Sequence, residues 1–296
     1  MLDSIGELLE TSSRENSEKM ADLLFRCSRV DIHHQRAEAL RKMGKVLRIS
    51  PARAEEAAEI ILRYSKQPQP RVIRLSLTPD LRHVDCLSHL HAKTQVLRIA
   101  SPQRMRLLTV EADATSQLVH VVEAFPGKAE EVFSLLRQKC RDNEDEEMQR
   151  VAINQLVLMA DACPHMPEKI VNAVLPLCTD AQPMTRVLAV LQLSNLAIVI
   201  SENKERIVKA LLRACSDVES EVRQSAIAQL PKTMQACASM AWQIISVLLW
   251  KCSSERSSDS SVAKEQLDAA LTICPDIAIK ASELLALSPK KTRRSM

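Results

Sequence analysis

The chain has very little glycine and very few aromatic residues. It contains three glycines among its 296 residues, and Phe, Trp and Tyr together make up 2%. Sandwich and barrel folds use both kinds of residue heavily in strands and turns, so this composition argues against an all-β fold. The abundant residues are instead Leu, Ala, Glu, Lys, Arg, Gln and Met, which favour helices. The composition therefore predicts an all-α protein.

A long apolar segment is also absent. Apolar runs such as Leu196–Ile200 are far shorter than the roughly 20 residues that cross a bilayer. Asp3, Glu7 and Glu10 interrupt the N-terminus, where a signal peptide would be basic and then apolar. We therefore expect a soluble, cytoplasmic protein without a membrane segment. The tail, residues 288–296, would also suit nuclear import because of its cations, Lys290, Lys291, Arg293 and Arg294.

Motifs for catalysis and metal binding are missing as well. No Gly-rich phosphate loop, GxSxG elbow or HExxH pair occurs. Several histidines lie near acidic residues and a cysteine, but no CxxC pair accompanies them to complete a zinc site. These residues are His33, His34, His83, His89, His91, Asp31, Asp85 and Cys86. We predict no catalytic residue, no metal and no cofactor, and hence a non-enzymatic protein.

Matching residues recur at an interval of 37 positions. In the clearest unit, Lys204–Met240, an apolar first helix is followed by a turn at Asp217 and by a second helix that carries Arg223, Ala226 and Leu230. The equivalent residues of the preceding unit are Asp180, Arg186, Ala189 and Leu193. Such a period predicts a tandem array of helical hairpins, each packed mainly on its neighbours.

Other units follow the pattern with departures. Met20–Met43 fits after a small shift and puts Arg36 at the arginine position, whereas Gln149 replaces this arginine further along the chain. After the clearest unit, Ser254 and Ser260 replace the aspartate and the arginine. The pattern is therefore strongest in the middle of the array.

The Asp–x5–Arg–x2–Ala–x3–Leu spacing resembles the HEAT repeat. The resemblance implies a right-handed α-solenoid, in which second helices line a concave surface and an Asp–Arg ladder joins neighbouring units. Asp180 and Asp217 would then meet Arg186 and Arg223. HEAT arrays are protein-binding scaffolds, so the resemblance implies a protein partner but does not identify it.

About seven such units would form a single domain over residues 1–287. The units are regular over residues 129–276 and degenerate over residues 52–125, and the basic tail 288–296 follows the array.

Two columns of cysteines follow the same period. Cys140, Cys178, Cys215 and Cys252 recur at intervals of 38, 37 and 37, and a second column contains Cys163, Cys237 and Cys274. Neighbours in a column would lie about 10 Å apart, beyond the Cα separation of about 4.4–6.8 Å that a disulfide needs. We therefore predict buried free thiols that act as small apolar residues.

One polar column also keeps the period, namely Gln155, Gln192, Gln229 and Gln266. Each glutamine directly precedes a core leucine and so flanks the apolar stripe of its second helix. Two interpretations stay open. The glutamines form a structural ladder between second helices, or their amides bind the backbone of an extended partner peptide.

Charge is segregated between neighbouring parts of the chain. Residues 61–106 carry nine Lys and Arg against two acidic residues, whereas residues 107–148 carry ten Asp and Glu against four Lys and Arg. The basic part is either solvated charge on degenerate repeats or a binding surface for an acidic partner. Its candidate binding residues are Arg71, Arg74, Arg82, Arg98, Arg104 and Arg106.

Together these features predict a scaffold or adaptor that presents a curved helical surface to a protein partner with acidic character. One alternative is a nucleic-acid-binding protein, although stacking aromatics are scarce and the formal net charge is only +3. Another alternative is a structural subunit of a larger complex. The partner, the oligomeric state and the binding face stay open.

Overall fold

The computed structural model describes residues 14–30, 33–66, 110–142, 146–253 and 257–273. Regular structure in these ranges is helical throughout, without a strand, so the predicted all-α class is confirmed. Twelve labelled α-helices lie in these ranges: α1 (Arg14–Arg29), α2 (His33–Ile49), α3 (Pro51–Ser65), α4 (Leu118–Ala124), α5 (Ala129–Asp142), α6 (Glu146–Ala162), α7 (Pro167–Val174), α8 (Pro183–Val199), α9 (Lys204–Ala214), α10 (Ser220–Ala236), α11 (Ala241–Cys252) and α12 (Ser257–Ile273). A short helical stretch at 110–115 precedes α4.

The chain divides into two compact units, Met1–Gln155 and Leu156–Met296. In the first unit α1 packs against α2, α2 against α3, and α4 against both α2 and α3, while a 3₁₀ turn at Pro126–Lys128 leads into α5. In a tandem array a dividing line can fall between any two neighbouring hairpins, because each hairpin contacts mainly its neighbours. The expectation of one domain over residues 1–287 therefore stays a prediction.

The second unit contains the hairpins expected from the 37-residue period. Helix α9 pairs with α10 and α11 with α12, while the second helices α8, α10 and α12 pack side by side in that order. The predicted unit Lys204–Met240 is confirmed, since it comprises α9, α10 and a closing 3₁₀ turn at Ala238–Met240.

The buried stripe of each helix explains this packing. On α9 the side chains of Ile207, Val208 and Leu211 are fully buried, and on α10 the small Ala226 is fully buried as well. A methyl side chain lets two helix backbones approach closely, and burial of the apolar stripe supplies most of the stability, at about 25 cal/mol per Å².

Aspartates close the turns between the helices of these hairpins. The Asp217 carboxylate accepts a hydrogen bond from the Glu219 N–H at 2.9 Å, and Asp180 accepts one from the Gln182 N–H at 2.8 Å. A carboxylate bonded to the N–H two residues further along is an Asx turn, which fixes the chain direction before a helix starts. The predicted role of Asp217 as a turn residue is confirmed.

The hairpin that begins with α7 has a short first helix that is followed by a proline-containing 3₁₀ segment. This helix ends at Val174, and the chain tightens into a 3₁₀ segment, Leu175–Thr179, that contains Pro176. Proline has no N–H to donate and its ring clashes with the preceding turn of an α-helix, so the backbone leaves α geometry here.

Most cysteines of the two predicted columns are buried where the structure describes them, but Cys252 is not as fully buried as its period predicts. All seven cysteines in the described ranges are free thiols; Cys140, Cys163, Cys178, Cys215 and Cys237 are buried, whereas Cys27 and Cys252 are half-buried. Cys274 lies outside the described residues. None of the helices in these ranges is both long and apolar enough to cross a bilayer.

Candidate partner-binding surface

Arg186 joins two neighbouring hairpins of the second unit. Its Nε and Nη2 donate to the two carboxylate oxygens of Asp217 at 2.9 and 2.8 Å. Its Nη1 donates to the carbonyl oxygen of Asp180 in its own turn at 2.8 Å. The guanidinium therefore ties the turn of one hairpin to the turn of the next, as the Asp–Arg ladder requires.

Arg223 repeats this arrangement with a different acidic partner. Its Nη1 donates to the carbonyl oxygens of Asp217 and Val218 at 3.0 and 2.9 Å. Its Nε and Nη2 donate to Asp259, in the first turn of α12, at 2.7 and 3.4 Å. Arg223 and Asp259 are both buried, at 5% and 0% exposure.

The expected ladder is thus corrected at its C-terminal end. The sequence period assigned the acidic position to Ser254, which lies outside the described residues, whereas Asp259 five residues later supplies the carboxylate. Ser260, at the arginine position, is buried and donates to the Cys252 carbonyl at 2.8 Å. The ladder continues because a carboxylate can reach the guanidinium from the helix itself as well as from the turn before it.

An arginine of the first unit makes the same backbone contact as Arg186 and Arg223. Arg36 donates through Nε and Nη2 to the Val30 carbonyl at 3.1 and 2.8 Å, six residues earlier. Arg186 and Arg223 bond the carbonyls of Asp180 and Asp217, which are also six residues earlier. This shared bond identifies Arg36 as the equivalent arginine.

The electrostatics of the Arg186–Asp217 pair favour its charged form. Burial alone would raise the pKa of the Asp217 carboxyl, but the hydrogen bonds from Arg186 and from the Glu219 N–H hold this pKa below its usual value. The bond to Asp217 raises the pKa of the Arg186 guanidinium despite burial. In the first unit a different buried ion pair, Lys139–Glu111, joins α5 to the stretch 110–115, and the sequence period does not indicate it.

The four glutamines of the polar column have different surroundings. Gln155 is buried and its Oε1 accepts a hydrogen bond from the Val119 N–H, near the start of α4, at 3.0 Å. The Oε1 of Gln229 accepts from the Ser194 hydroxyl on α8 at 2.7 Å, so it links two neighbouring second helices. Gln192 accepts from Asn195 on its own helix at 3.0 Å, and Gln266 is half-buried.

These contacts give Gln155 and Gln229 a structural part, which is one of the two interpretations from sequence. Binding of a partner by the amides stays a prediction. The six arginines of the predicted basic surface, residues 71 to 106, lie outside the described residues.

A basic groove beside α9 is a surface feature that the repeat pattern does not indicate. We call it the α9 groove and define it by its lining residues: Leu175, Cys178, Thr179, Arg206, Lys209, Ala210, Arg213, Ala214 and Asp217. Its volume is about 400 Å³. A signal was present in the sequence, since Arg206, Lys209 and Arg213 have the i, i+3, i+7 spacing of one helix face.

Large apolar side chains are also exposed in the second unit. Val218 is 84% exposed, and Trp250 and Trp242 on α11 are 63% and 40% exposed. Single exposed apolar residues are common, but tryptophan is often found at protein interfaces.

Known sequence families and curated proteins offer no match to this chain. Similar solved structures do exist. Kap121p superposes with a TM-score of 0.60 at 15% sequence identity, over 96% of this chain and 29% of its own, and a Kap121p mutant gives the same values. Pds5 in its complex with Scc1 superposes with a TM-score of 0.47 at 13% identity, over 88% of this chain and 45% of its own.

Kap121p is an armadillo/HEAT-repeat protein, and its superposition covers nearly all of this chain. The low sequence identity limits the comparison to the fold. The fold agrees with the 37-residue period and with the paired helices and side-by-side second helices of the second unit. The chain has the α-solenoid fold of the HEAT/armadillo repeat proteins.

Proposed function

We propose that this chain is a non-enzymatic scaffold or adaptor that binds a protein partner on its helical repeats. Stacked hairpins create extended surfaces rather than a single deep active site. The 37-residue period and the fold shared with Kap121p support this proposal. The fold alone does not identify a function, so the support must come from what the side chains do.

The observation that carries the proposal is the pair of Arg–Asp ion pairs, Arg186–Asp217 and Arg223–Asp259, that join successive hairpins in the second unit. Arg186 and Arg223 each bond the turn of one hairpin and a carboxylate of the next, with N–O distances between 2.7 and 3.4 Å. These bonds hold the hairpins at a fixed spacing before any partner arrives. A preformed surface binds at lower entropic cost than a flexible one.

We infer an acidic partner from the basic stretch of the chain, residues 61–106. Arg71, Arg74 and Arg82 belong to a stretch with nine Lys and Arg against two acidic residues. Such a concentration of charge would accelerate encounter with an acidic protein surface. The half-buried amides of Gln192 and Gln266 would add hydrogen bonds to a bound peptide backbone.

Affinity capture with the full chain tests both parts of the proposal. We expect nuclease-treated cell extract to supply a protein that the wild type retains in stoichiometric amount. The triple variant Arg71→Glu, Arg74→Glu, Arg82→Glu should lose this protein, because like charges would then repel an acidic partner. A matched variant reverses three exposed arginines outside the basic stretch, Arg26, Arg137 and Arg141, and should retain it.

The results separate the alternatives. Capture that disappears with nuclease treatment would show a nucleic-acid-binding protein and overturn the scaffold proposal. Equal capture by all three proteins would leave the scaffold in place but would remove the basic stretch from the binding surface.

A further inference from the structure

The α9 groove lies between two successive hairpins of the second unit. Its floor consists of Leu175 and Cys178 from the 3₁₀ segment and of Ala210 and Ala214 from α9. The volume of about 400 Å³ lies within the range of about 300–1,000 Å³ found for binding pockets.

Local sequence explains why a groove is present here. The 3₁₀ segment Leu175–Thr179, which lines one side of the groove, winds more tightly than an α-helix. Opposite it, Ala210 and Ala214 stand four residues apart on α9 and extend only methyl groups. Narrow backbone on one side and small side chains on the other leave the space unfilled.

Three cations of α9 line the groove, namely Arg206, Lys209 and Arg213, and all three are exposed. Arg206 is already oriented, because its guanidinium donates to the amide oxygens of Asn203 and Asn172 at 3.1 and 2.8 Å. Amide oxygens fix the position of a guanidinium without cancelling its charge. Arg213 has no ion-pair partner within the described part of the chain.

Nearby carboxylates do not neutralise these cations. Asp217, at one end of the groove, is engaged by Arg186 at 2.8 and 2.9 Å. Glu205 lies 3.8 Å from Lys209, and both side chains are 58% exposed, so water and salt screen this pair strongly. The groove therefore keeps a positive potential that favours an anionic ligand.

The floor of the groove is apolar as well as small. Burial raises the pKa of the Cys178 thiol to about 12, so this side chain is uncharged at neutral pH. Leu175, Ala210 and Ala214 add apolar side chains to the lining. A ligand that suits these surroundings combines negative charge with an aliphatic group.

We propose that the α9 groove binds an acidic peptide segment of a protein partner, with an aliphatic side chain over the alanine floor and carboxylates on Arg206, Lys209 and Arg213. This inference rests on the proposed scaffold function and specifies one of its docking sites. Arginine favours carboxylates because its planar fork donates two parallel hydrogen bonds.

The test measures fluorescence anisotropy of a labelled peptide in which leucines alternate with pairs of glutamates. The full chain should bind it, with an affinity that falls as NaCl rises from about 0.05 M to about 0.3 M, because salt screens the exposed cations. The double variant Arg206→Glu, Arg213→Glu should bind at least about tenfold more weakly. The exposed pair Arg137→Glu, Arg141→Glu is the charge-matched control and should bind like the wild type.

A second pair of variants tests the floor without changing charge. Ala210→Leu should fill the groove and weaken binding, whereas Ala228→Leu, at an exposed position on α10, should leave it unchanged. A peptide with alanine in place of each leucine should bind more weakly than the parent peptide. Circular dichroism of every variant checks that helical content is retained.

Two results would overturn the inference. One is absence of peptide binding by the wild type, or equal binding by the groove variants and their controls. The other is tighter binding of a short single-stranded RNA than of the peptide, lost in the same variants, which would assign the groove to nucleic acid. Partner capture by the full chain does not depend on peptide binding in the α9 groove. The scaffold proposal can therefore hold when the groove inference is wrong, and the two experiments test them separately.

Discussion

At the scale of single residues, the arginine that recurs with the repeat matters because of where its charge is placed. Arg223 is 5% exposed and faces Asp259, which is fully buried. An ion pair in such a place contributes little net stability relative to apolar residues, since both ions lose their hydration. Removal of one partner is a different matter, because it leaves the other charge buried and unpaired.

We therefore expect Asp259→Ala to lower the free energy of unfolding by about 3–5 kcal/mol. Asp259→Asn keeps one hydrogen-bond acceptor for Arg223 and should cost less than the alanine substitution. Urea unfolding followed by circular dichroism measures both variants. The control is Glu205→Ala, which removes an exposed pair with Lys209 and should cost at most about 1 kcal/mol. A similar small loss for Asp259→Ala would show that this pair does not secure the stack.

At the scale of helices, a hydrogen bond between units supports the start of a short helix. α4 has seven residues, and the side chain of its N-cap residue, Gln117, makes no capping hydrogen bond. The first N–H groups of any helix lack partners within it. Gln155, in the next hairpin, supplies an acceptor for one of these groups, because its Oε1 accepts a hydrogen bond from the Val119 N–H at 3.0 Å. The side chain therefore acts as a cap for a helix 36 residues earlier.

Gln155→Ala should leave the buried N–H of Val119 without its acceptor and should lower the free energy of unfolding by about 1–3 kcal/mol. Hydrogen exchange of the Val119 amide should accelerate as well. Gln266→Ala is the matched substitution in the same column. Gln266 makes no hydrogen bond with the residues that the structure describes, so its loss should cost less than about 0.5 kcal/mol. Equal effects of the two substitutions would argue against the capping role.

At the scale of the whole molecule, the 37-residue period predicts the features that recur in successive hairpins. It does not predict features that occur in one hairpin only. The bounds of Lys204–Met240 and the buried thiols follow from the period, because equivalent positions meet equivalent neighbours. Asp259 was missed, because its carboxylate reaches Arg223 from a helix rather than from the turn position that the spacing marks. The α9 groove is lined by cations and small side chains of α9 and by the 3₁₀ segment of the preceding hairpin, and the repeat spacing does not indicate that these residues meet around an open space.

The column of buried cysteines allows one experiment to test the packing of several repeats, because each thiol reports whether its own position is buried. Burial raises the pKa of the Cys140, Cys178 and Cys215 thiols from 9.0 to about 12. At a given pH near 8 this lowers their reactive thiolate fraction about a thousandfold. Iodoacetamide should therefore modify the half-buried Cys27 long before these three, as mass spectrometry of the digested protein would show.

The denatured chain provides the reference, since all nine cysteines should react at similar rates once the hairpins are unfolded. The rate of modification of each cysteine should also depend on how deeply its side chain is buried in the repeats. Cys252 is half-buried, and burial raises its pKa too, so its rate should lie between those of Cys27 and Cys215. If Cys215 reacted as fast as Cys27 in the folded protein, its side chain would not lie in the core, and the assignment of the column to equivalent packing positions would be wrong.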